Sequence, residues 1–148
     1  MSSASFVLMA DTREQSIPPM PPGVEVVRRC LHEGDYSLES LLGIAVVERK
    51  SAADFVGSIT WGRERFDREI ERLKTYRFKA IVVEDDLSWC FRITQTHPHS
   101  ILGTIASYTA RYDCPVLFAG DRESAGRLIC GLLRRWNERI EEEKAGAA

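Results

Sequence analysis

Acidic and basic side chains early in the chain have the types and the spacing of a reaction centre. Asp35 precedes the run Glu48-Arg49-Lys50, and Asp11 lies before both at the end of an apolar run. Side chains alternate between the two faces of a strand, so Glu48 and Lys50 point to one side and Arg49 to the other. We therefore expect Asp35, Glu48 and Lys50 to meet at one end of a sheet, where Asp11 could join them.

The chemistry that suits these side chains is metal-assisted hydrolysis of a phosphodiester bond. Carboxylates that converge on one point raise each other's pKa, and a bound divalent cation removes that repulsion. Ligands that offer only oxygen favour Mg²⁺ or Mn²⁺ over zinc. Such an ion polarises the phosphodiester and helps to form hydroxide from bound water. The Lys50 ammonium can orient that water or neutralise the charge that develops around phosphorus.

The elements that must position these residues follow from the hydrophobic pattern. Short apolar runs predict strands at residues 6–10, 24–27, 34–38, 44–50, 80–84 and 116–118, of which the third and fourth form a hairpin. Helical spacing predicts helices at 51–59, 63–76 and 97–111, and a last amphipathic helix capped by Asp121, with residues 141–144 frayed. Strands first in hairpins and then alternating with helices indicate an α/β fold, a mixed β-sheet flanked by helices.

The full motif also carries a family resemblance. Its parts are GD at residues 34–35, ERK at 48–50 with Asp54 after it, DTRE at 11–14 and GR at 62–63. This pattern resembles the XPF-type structure-specific nuclease domain, which has the restriction-endonuclease-like fold. The resemblance covers about residues 6–120. Residues 1–148 are therefore predicted to form a single nuclease domain, in which residues 121–148 are a C-terminal amphipathic helix and tail.

The resemblance implies roles for particular residues and a class of substrate. It assigns metal binding to Asp11, Asp35 and Glu48, catalysis to Asp35, Glu48 and Lys50, and further active-site positions to Arg49, Asp54 and Arg63. The family cleaves branched or partly single-stranded DNA, such as flaps and forks, with Mg²⁺ or Mn²⁺. Its repair members usually add a helix-hairpin-helix module that binds duplex DNA and dimerises. The 148 residues leave no room for that module, so we expect a compact stand-alone form of bacterial or phage-like origin.

Several of these residues have purely structural alternatives. Asp54 occupies the fourth position of a capping-box pattern, and a role at a helix start would alone account for it. Asp11 could be a turn residue after a strand. Arg49 could form a salt bridge on the opposite face of the sheet as readily as it could contact DNA. Glu14 is expected to be a solvated loop acid that pairs with Arg13, unless Arg13 contacts DNA.

DNA contacts are expected mainly on the charged helix that follows the motif. Residues 63–79 contain seven basic and four acidic side chains, a local charge of +3. Helices of mixed charge are usually solvated faces, but this excess follows the predicted site directly, so Arg63 and Arg65 are candidate phosphate contacts. Arg13 is a further candidate. Trp61 could stack on an unpaired base or, equally, belong to the core or to a lid.

The net charge of the chain argues at first against a nucleic-acid partner. Twenty Lys and Arg against 22 Asp and Glu give −2, which disfavours a bulk electrostatic binder of DNA or of an anionic membrane. Without Asp11, Asp35, Glu48 and Asp54, 18 acids face 20 bases. The net negative charge therefore comes from the acidic residues of the predicted metal site, and the rest of the chain is slightly basic. The balance argues against tight, non-specific coating of DNA and not against cutting it.

The remaining composition indicates a single folded domain in the cytoplasm. The chain shows neither a signal peptide nor an apolar run of the ~18 residues that a membrane span needs. The four cysteines form no CxxC pair and are expected to be reduced and buried. One stripe of the last helix carries Leu128, Leu132, Trp136 and Ile140. That stripe is expected to pack on the sheet or to form the face of a homodimer.

A second hypothesis is a non-catalytic subunit that binds DNA or a protein partner, because the family also contains degenerate members. Glu48 and Lys50 would then form no more than an ion pair on the sheet. The presence of the Asp, Glu and Lys positions together argues against this alternative, since an inactive subunit is expected to lose some of them.

Overall fold

A single mixed sheet of six strands forms the centre of the protein, whose computed structural model describes residues 6–95 and 97–147. The strands are β1 (Phe6–Asp11), β2 (Val24–Arg29), β3 (Tyr36–Ser37), β4 (Ala45–Lys50), β5 (Phe78–Val83) and β6 (Val116–Phe118). Their order in space is β2-β1-β3-β4-β5-β6. The short β3 runs antiparallel to β1 and β4, whereas β1 and β2, and β4, β5 and β6, are parallel. The predicted α/β fold with an antiparallel portion is confirmed.

Helices cover both faces of this sheet. They are α1 (Ala52–Ile59), α2 (Arg63–Arg72), α3 (Leu87–Arg92), α4 (Pro98–Tyr112) and α5 (Arg122–Ala147), with short 3₁₀ turns at Glu39–Leu41 and Leu73–Thr75. The sequence pattern missed α3, because six residues are too few to display a helical period. The prediction that residues 141–144 are frayed was also wrong. Helix α5 continues to Ala147, and Glu143 near its end forms an ion pair with Arg77.

Two apolar clusters, one on each face, hold the layers together. Strand alternation places Val46 in the cluster under α1, α2 and α4, and its neighbour Val47 in the cluster under α5. Within α5, Ile129 and Leu133 are fully buried. The stripe predicted on this helix, Leu128, Leu132, Trp136 and Ile140, packs against the second cluster. The sheet-packing alternative for this stripe is therefore the observed one, and α5 is the layer that covers the second face.

Two further observations bear on the sequence-based expectations. Among the helices of residues 6–95 and 97–147, none combines the length and the apolar composition that crossing a membrane requires. All four cysteines are free thiols, and Cys90, Cys114 and Cys130 are buried as expected. Cys30 is exposed, contrary to expectation, because it follows the edge strand β2, most of whose residues face solvent.

Candidate active site

The ends of three adjacent strands bring the predicted carboxylates to one pocket of about 260 Å³. Asp11 ends β1, Asp35 directly precedes β3, and Glu48 lies near the end of β4, and all three line this pocket. Backbone hydrogen bonds fix their spacing: the Asp11 amide donates to the Asp35 carbonyl at 2.8 Å, and the Asp35 amide donates to the Val47 carbonyl at 3.0 Å. The Arg49 amide donates to Asp35 Oδ2 at 2.8 Å. The predicted convergence of these residues is therefore built by the main chain.

Gly34 sets the approach of Asp35 to the sheet. Its φ of +76° lies in the left-handed region, which side chains disfavour. A Cβ at this position would lie 2.1 Å from Val46 Cγ2, inside the apolar cluster under α1 and α2. The glycine of the GD pair is therefore required twice, by its backbone conformation and by the close approach of β4.

Replacement of Gly34 by alanine should destabilise the protein more than the same replacement at Gly43. Both residues have φ of +76°, but the space around Gly43 is open within 4 Å. We expect Gly43→Ala to cost about 1 kcal/mol for the left-handed backbone, and Gly34→Ala roughly 2–4 kcal/mol because the clash with Val46 is added. Urea unfolding of both variants measures the difference. Equal losses in the free energy of unfolding would show that the Val46 side chain moves aside without an energetic cost.

Burial and nearby negative charges destabilise the charged forms of Asp35 and Glu48. Burial is the largest cause that raises the pKa of Asp35, and the charge of Glu14 adds to it, against the Arg49 amide and the Lys50 charge. Burial also raises the pKa of Glu48 well above its ordinary value, and the nearby Asp35 charge raises it further. A divalent cation would remove this repulsion, and a donor set of carboxylate oxygens fits Mg²⁺ or Mn²⁺.

Asp11 faces the same pocket but its carboxylate is already engaged. Oδ2 accepts from Arg13 Nε at 2.8 Å, and Oδ1 accepts from the Leu31 amide at 2.9 Å. Burial alone would raise the pKa of Asp11, yet these hydrogen bonds outweigh it and lower the pKa. Across residues 6–95 and 97–147, no group of three His, Cys, Asp or Glu side chains has the arrangement that a metal ion needs. Asp35 and Glu48 are thus the pair whose electrostatics most favours a cation.

Lys50 lies on the same face of β4 as Glu48, as the strand alternation predicted. Its Nζ is 3.8 Å from Glu48 Oε1, and the ammonium stands 4.7 Å from the centre of the Phe66 ring. Only 14% of the Lys50 side chain is exposed. The positive charge is therefore held at the carboxylate by an aromatic face rather than moving freely in solvent.

Arg49 points to the opposite face of the sheet and forms a buried ion-pair cluster. Its guanidinium contacts Glu14 Oε1 and Glu84 Oε1 at 2.6 Å each, and Arg122 reaches Glu84 at 2.9 Å. The salt-bridge alternative for Arg49 is the one observed. Glu14 is buried, so its expected role as a solvated acid paired with Arg13 was wrong. The cluster connects the turn after β1 to β4, the end of β5 and the start of α5.

Asp54 stands in the first turn of α1 and supplies the main-chain amide that the N-cap residue binds. The Asp54 amide donates to Ser51 Oγ at 3.1 Å, so Ser51 is the N-cap. The Asp54 carboxylate is exposed and lines a groove with Lys50 and Arg65. Its position therefore permits both the structural role of the residue and a role beside the ammonium.

The basic candidates and Trp61 differ in how free they are to meet a ligand. Arg63 is engaged within the fold, with Nε 3.1 Å from Asp67 and Nη1 2.8 Å from Thr104 Oγ1. The side chain of Arg65 is 83% exposed and that of Arg13 is 70% exposed, although Arg13 bonds Asp11. Trp61 is 97% exposed, so its core alternative was wrong.

Comparison with known proteins decides the family. Residues 10–132 match the ERCC4 domain. The chain belongs to this family. A similar curated protein is the 3′-flap repair endonuclease Xpf of Saccharolobus solfataricus, 31% identical over 127 residues that cover 82% of this chain and 52% of that protein. A putative ATP-dependent RNA helicase of Methanocaldococcus jannaschii is 25% identical over 138 residues, 93% of this chain and 16% of the helicase.

Solved structures agree with this ERCC4 domain in fold. XPF from Aeropyrum pernix superposes with a TM-score of 0.73 at 27% identity, covering 86% of this chain and 60% of that chain. XPF from the same organism in complex with DNA gives 0.73 at 26% identity, covering 90% and 66%. The restriction-endonuclease-like fold and the XPF-type resemblance are confirmed. The chain spans about half of the Saccharolobus protein and about one sixth of the helicase.

Residues of this ERCC4 domain that sequence reasoning missed lie at the ends of strands and helices. Glu84 follows β5 and is buried beside Arg49, and Arg122 begins α5. Asp85 Oδ2 accepts from the Ala52 amide at 2.7 Å and thereby provides a second cap for α1. The available signal was a buried strand that ends in Glu-Asp-Asp, since charge at such a position needs partners.

Proposed function

We propose that this ERCC4 domain is a metal-dependent endonuclease that hydrolyses phosphodiester bonds in branched or partly single-stranded DNA. The observation that carries the proposal is the pairing of two repelling carboxylates, Asp35 and Glu48, with the Lys50 ammonium beside Glu48. The relative named as a 3′-flap repair endonuclease and the XPF complex with DNA support the reaction and the substrate class.

The metal site of this proposal is centred on Asp35 and Glu48, and Asp11 lines the same pocket as a third carboxylate that would have to reorient to join them. Their oxygen-only chemistry fits Mg²⁺ or Mn²⁺. The bound ion would supply Lewis acidity toward the phosphate and lower the pKa of a water molecule. Asp11 must exchange its bonds to Arg13 and Leu31 to take part, so we assign the main share of binding to Asp35 and Glu48.

The chain's own residues have distinct tasks in this proposal. Lys50 neutralises negative charge on the phosphate oxygens and orients the attacking water, because its ammonium is held beside Glu48. Asp54 lines the groove next to Lys50 and completes the active-site face.

Binding of the DNA backbone is assigned to the exposed arginines. Arg65 and Arg13 are the most accessible of the candidates and contact phosphates. A phosphate contact by Arg63 would compete with its bonds to Asp67 and Thr104. Arg49 acts as a positioning residue, since its buried cluster fixes the strand that carries Glu48 and Lys50.

Cleavage of branched DNA tests this function. Purified protein with Mn²⁺ or Mg²⁺ should cut flap and splayed-arm DNA, and EDTA should abolish cutting. Lys50→Met should lower the rate on the order of 10²-fold or more, because charge developing at phosphorus loses its counter-charge. Glu25→Gln, at an exposed carboxylate of the edge strand β2, is the matched control and should cut normally.

Two outcomes would contradict the proposal. Binding of flap DNA without metal-dependent cleavage would identify the domain as a non-catalytic DNA-binding subunit. Cleavage at the wild-type rate by Lys50→Met would show that the lysine takes no part in the reaction, and would contradict the role assigned to its ammonium.

A further inference from the structure

An open groove of about 800 Å³ lies between the end of α1 and α3, outside the carboxylate pocket. Ala53, Val56, Thr60, Trp61, Trp89 and Ile93 are among the residues that line it, and we call it the Trp groove. Trp61 is 97% exposed and Trp89 is 45% exposed. Single exposed apolar residues are ordinary, whereas two exposed tryptophans that line the same groove offer aromatic surface to a ligand.

The local backbone explains why Trp61 projects from the surface. α1 ends at Ile59, and the Gly62 amide donates to the Gly57 carbonyl at 2.9 Å, which closes a tight turn around residues 60–62. α2 then begins directly at Arg63. Trp61 sits at the tip of this turn, so its ring is held away from the core and both of its faces are accessible.

A cation stands beside the aromatic surface. The Arg92 guanidinium lies 5.2 Å from the centre of the Trp89 ring. Nucleobases stack on aromatic rings, and arginine contributes both stacking and charge at sites that bind single strands. The Trp groove, with Arg92 against the Trp89 ring at its edge, therefore offers aromatic surface for bases and a positive charge for a phosphate.

The Trp groove adjoins the candidate active site along the surface. It shares Ala53 and Gly57 with the groove that contains Lys50, Asp54 and Arg65. That second groove in turn shares Phe66 and Glu69 with the pocket of Asp35 and Glu48. The Trp groove, the groove of Lys50 and the carboxylate pocket are therefore neighbours in that order along the surface.

We infer that the Trp groove binds the unpaired strand of the DNA substrate, with Trp61 and Trp89 stacking on its bases. The inference rests on the proposed function and assigns to the Trp groove the single-stranded segment that such DNA presents next to the cleavage site. Stacking is tolerant of sequence, because every base has a π face. The groove thus recognises the lack of pairing rather than a base sequence.

Binding of a labelled oligothymidylate of about 12 nucleotides tests the inference, since single-strand sites span roughly 4–16 nucleotides. Anisotropy titrations in EDTA compare this strand with a blunt duplex of equal length. Trp61→Ala and Trp89→Ala should each weaken single-strand binding roughly tenfold and leave duplex binding within about twofold. Trp61→Phe and Trp89→Phe should retain most of the affinity, because phenylalanine also stacks.

Controls separate stacking from other uses of the groove. Leu102→Ala removes an exposed apolar side chain from α4, outside the Trp groove, and should leave single-strand binding unchanged. Thermal melts verify that each variant is folded. Light scattering tests whether a second copy of the chain covers the groove instead.

The outcomes distinguish this inference from the proposed function. Unchanged oligothymidylate affinity in the Trp61→Ala/Trp89→Ala variant overturns the inference, and loss of a wild-type dimer in the same variant would assign the groove to a second copy. Because the titrations are done in EDTA, they do not depend on cleavage. A protein that binds single strands through the tryptophans but does not cut flap DNA would support single-strand binding by the Trp groove and contradict the proposed endonuclease activity.

Discussion

Replacement of Glu48 by glutamine should abolish metal-dependent cleavage while leaving the fold intact or more stable. In the proposed function this carboxylate holds the cation, so loss of the several kcal/mol that a bound metal would contribute should slow cleavage on the order of 10³-fold. Burial and the Asp35 charge raise the pKa of Glu48, so its charged form is destabilised in the folded state. A neutral side chain of the same shape should therefore melt at an equal or higher temperature in EDTA.

The combination of the two measurements gives this prediction its strength. Loss of activity with a raised melting temperature is the signature of a site in which stability is given up for function. Glu123→Gln, at an exposed carboxylate of α5 paired with Arg127, is the control and should change neither quantity. A Glu48→Gln protein that cuts at more than a tenth of the wild-type rate would exclude Glu48 as a metal ligand. One that unfolds several degrees earlier would show a structural role instead.

Replacement of Arg49 by methionine should cause the largest loss of stability on the opposite face of the sheet. The change leaves Glu14 and Glu84 buried, with Arg122 as the ion-pair partner of Glu84. Removing one partner of a buried ion pair costs about 3–5 kcal/mol, which is roughly 10 °C in Tm for a protein of this size. Urea unfolding and thermal melts measure it. Arg135→Met, which breaks an exposed pair with Glu138, should cost less than about 1 kcal/mol.

A combined variant separates the cost of unpaired charge from the value of the cluster. Glu14→Leu/Arg49→Met/Glu84→Leu replaces the buried ions by apolar side chains, and Arg122 can turn its half-exposed guanidinium to solvent. Because apolar replacement of a whole buried ion cluster is often neutral or stabilising, this variant should recover most of the stability that Arg49→Met loses. A combined variant less stable than Arg49→Met would mean that the ion pairs themselves, rather than their desolvated remnants, hold the strands together.

Local sequence patterns predicted the sheet and most helices because their signals are contained in neighbouring residues. Alternation along β4 correctly separated Glu48 and Lys50 from Arg49, since side chains of successive strand residues must face opposite sides. The GD pair marked the start of β3, where only glycine fits the left-handed turn against Val46. The short helix α3 was not predicted, because its six residues are too few to show a helical period.

Partners that lie far apart in the chain could not be read in the same way. The carboxylate of Asp11 was available to a cation on sequence grounds, yet in the fold its Oδ1 accepts from the amide of Leu31, twenty residues further along. Glu14 looked like a loop acid until the structure brought Arg49 to it from β4. Arg63 remains a predicted phosphate contact, and only the fold shows that α4 supplies Thr104 as a partner for its guanidinium.

The sequence by itself determined the family, the mixed α/β sheet and the set of acidic and basic residues that meet at one sheet end, because motif spacing and strand alternation are local properties. Only the tertiary structure decided which of those charges are buried against each other and which are free. Desolvation and ion pairing depend on the side chains that distant segments bring into contact. The same reason explains the Trp groove: Trp61 and Trp89 share one surface only after α1 and α3 have packed together.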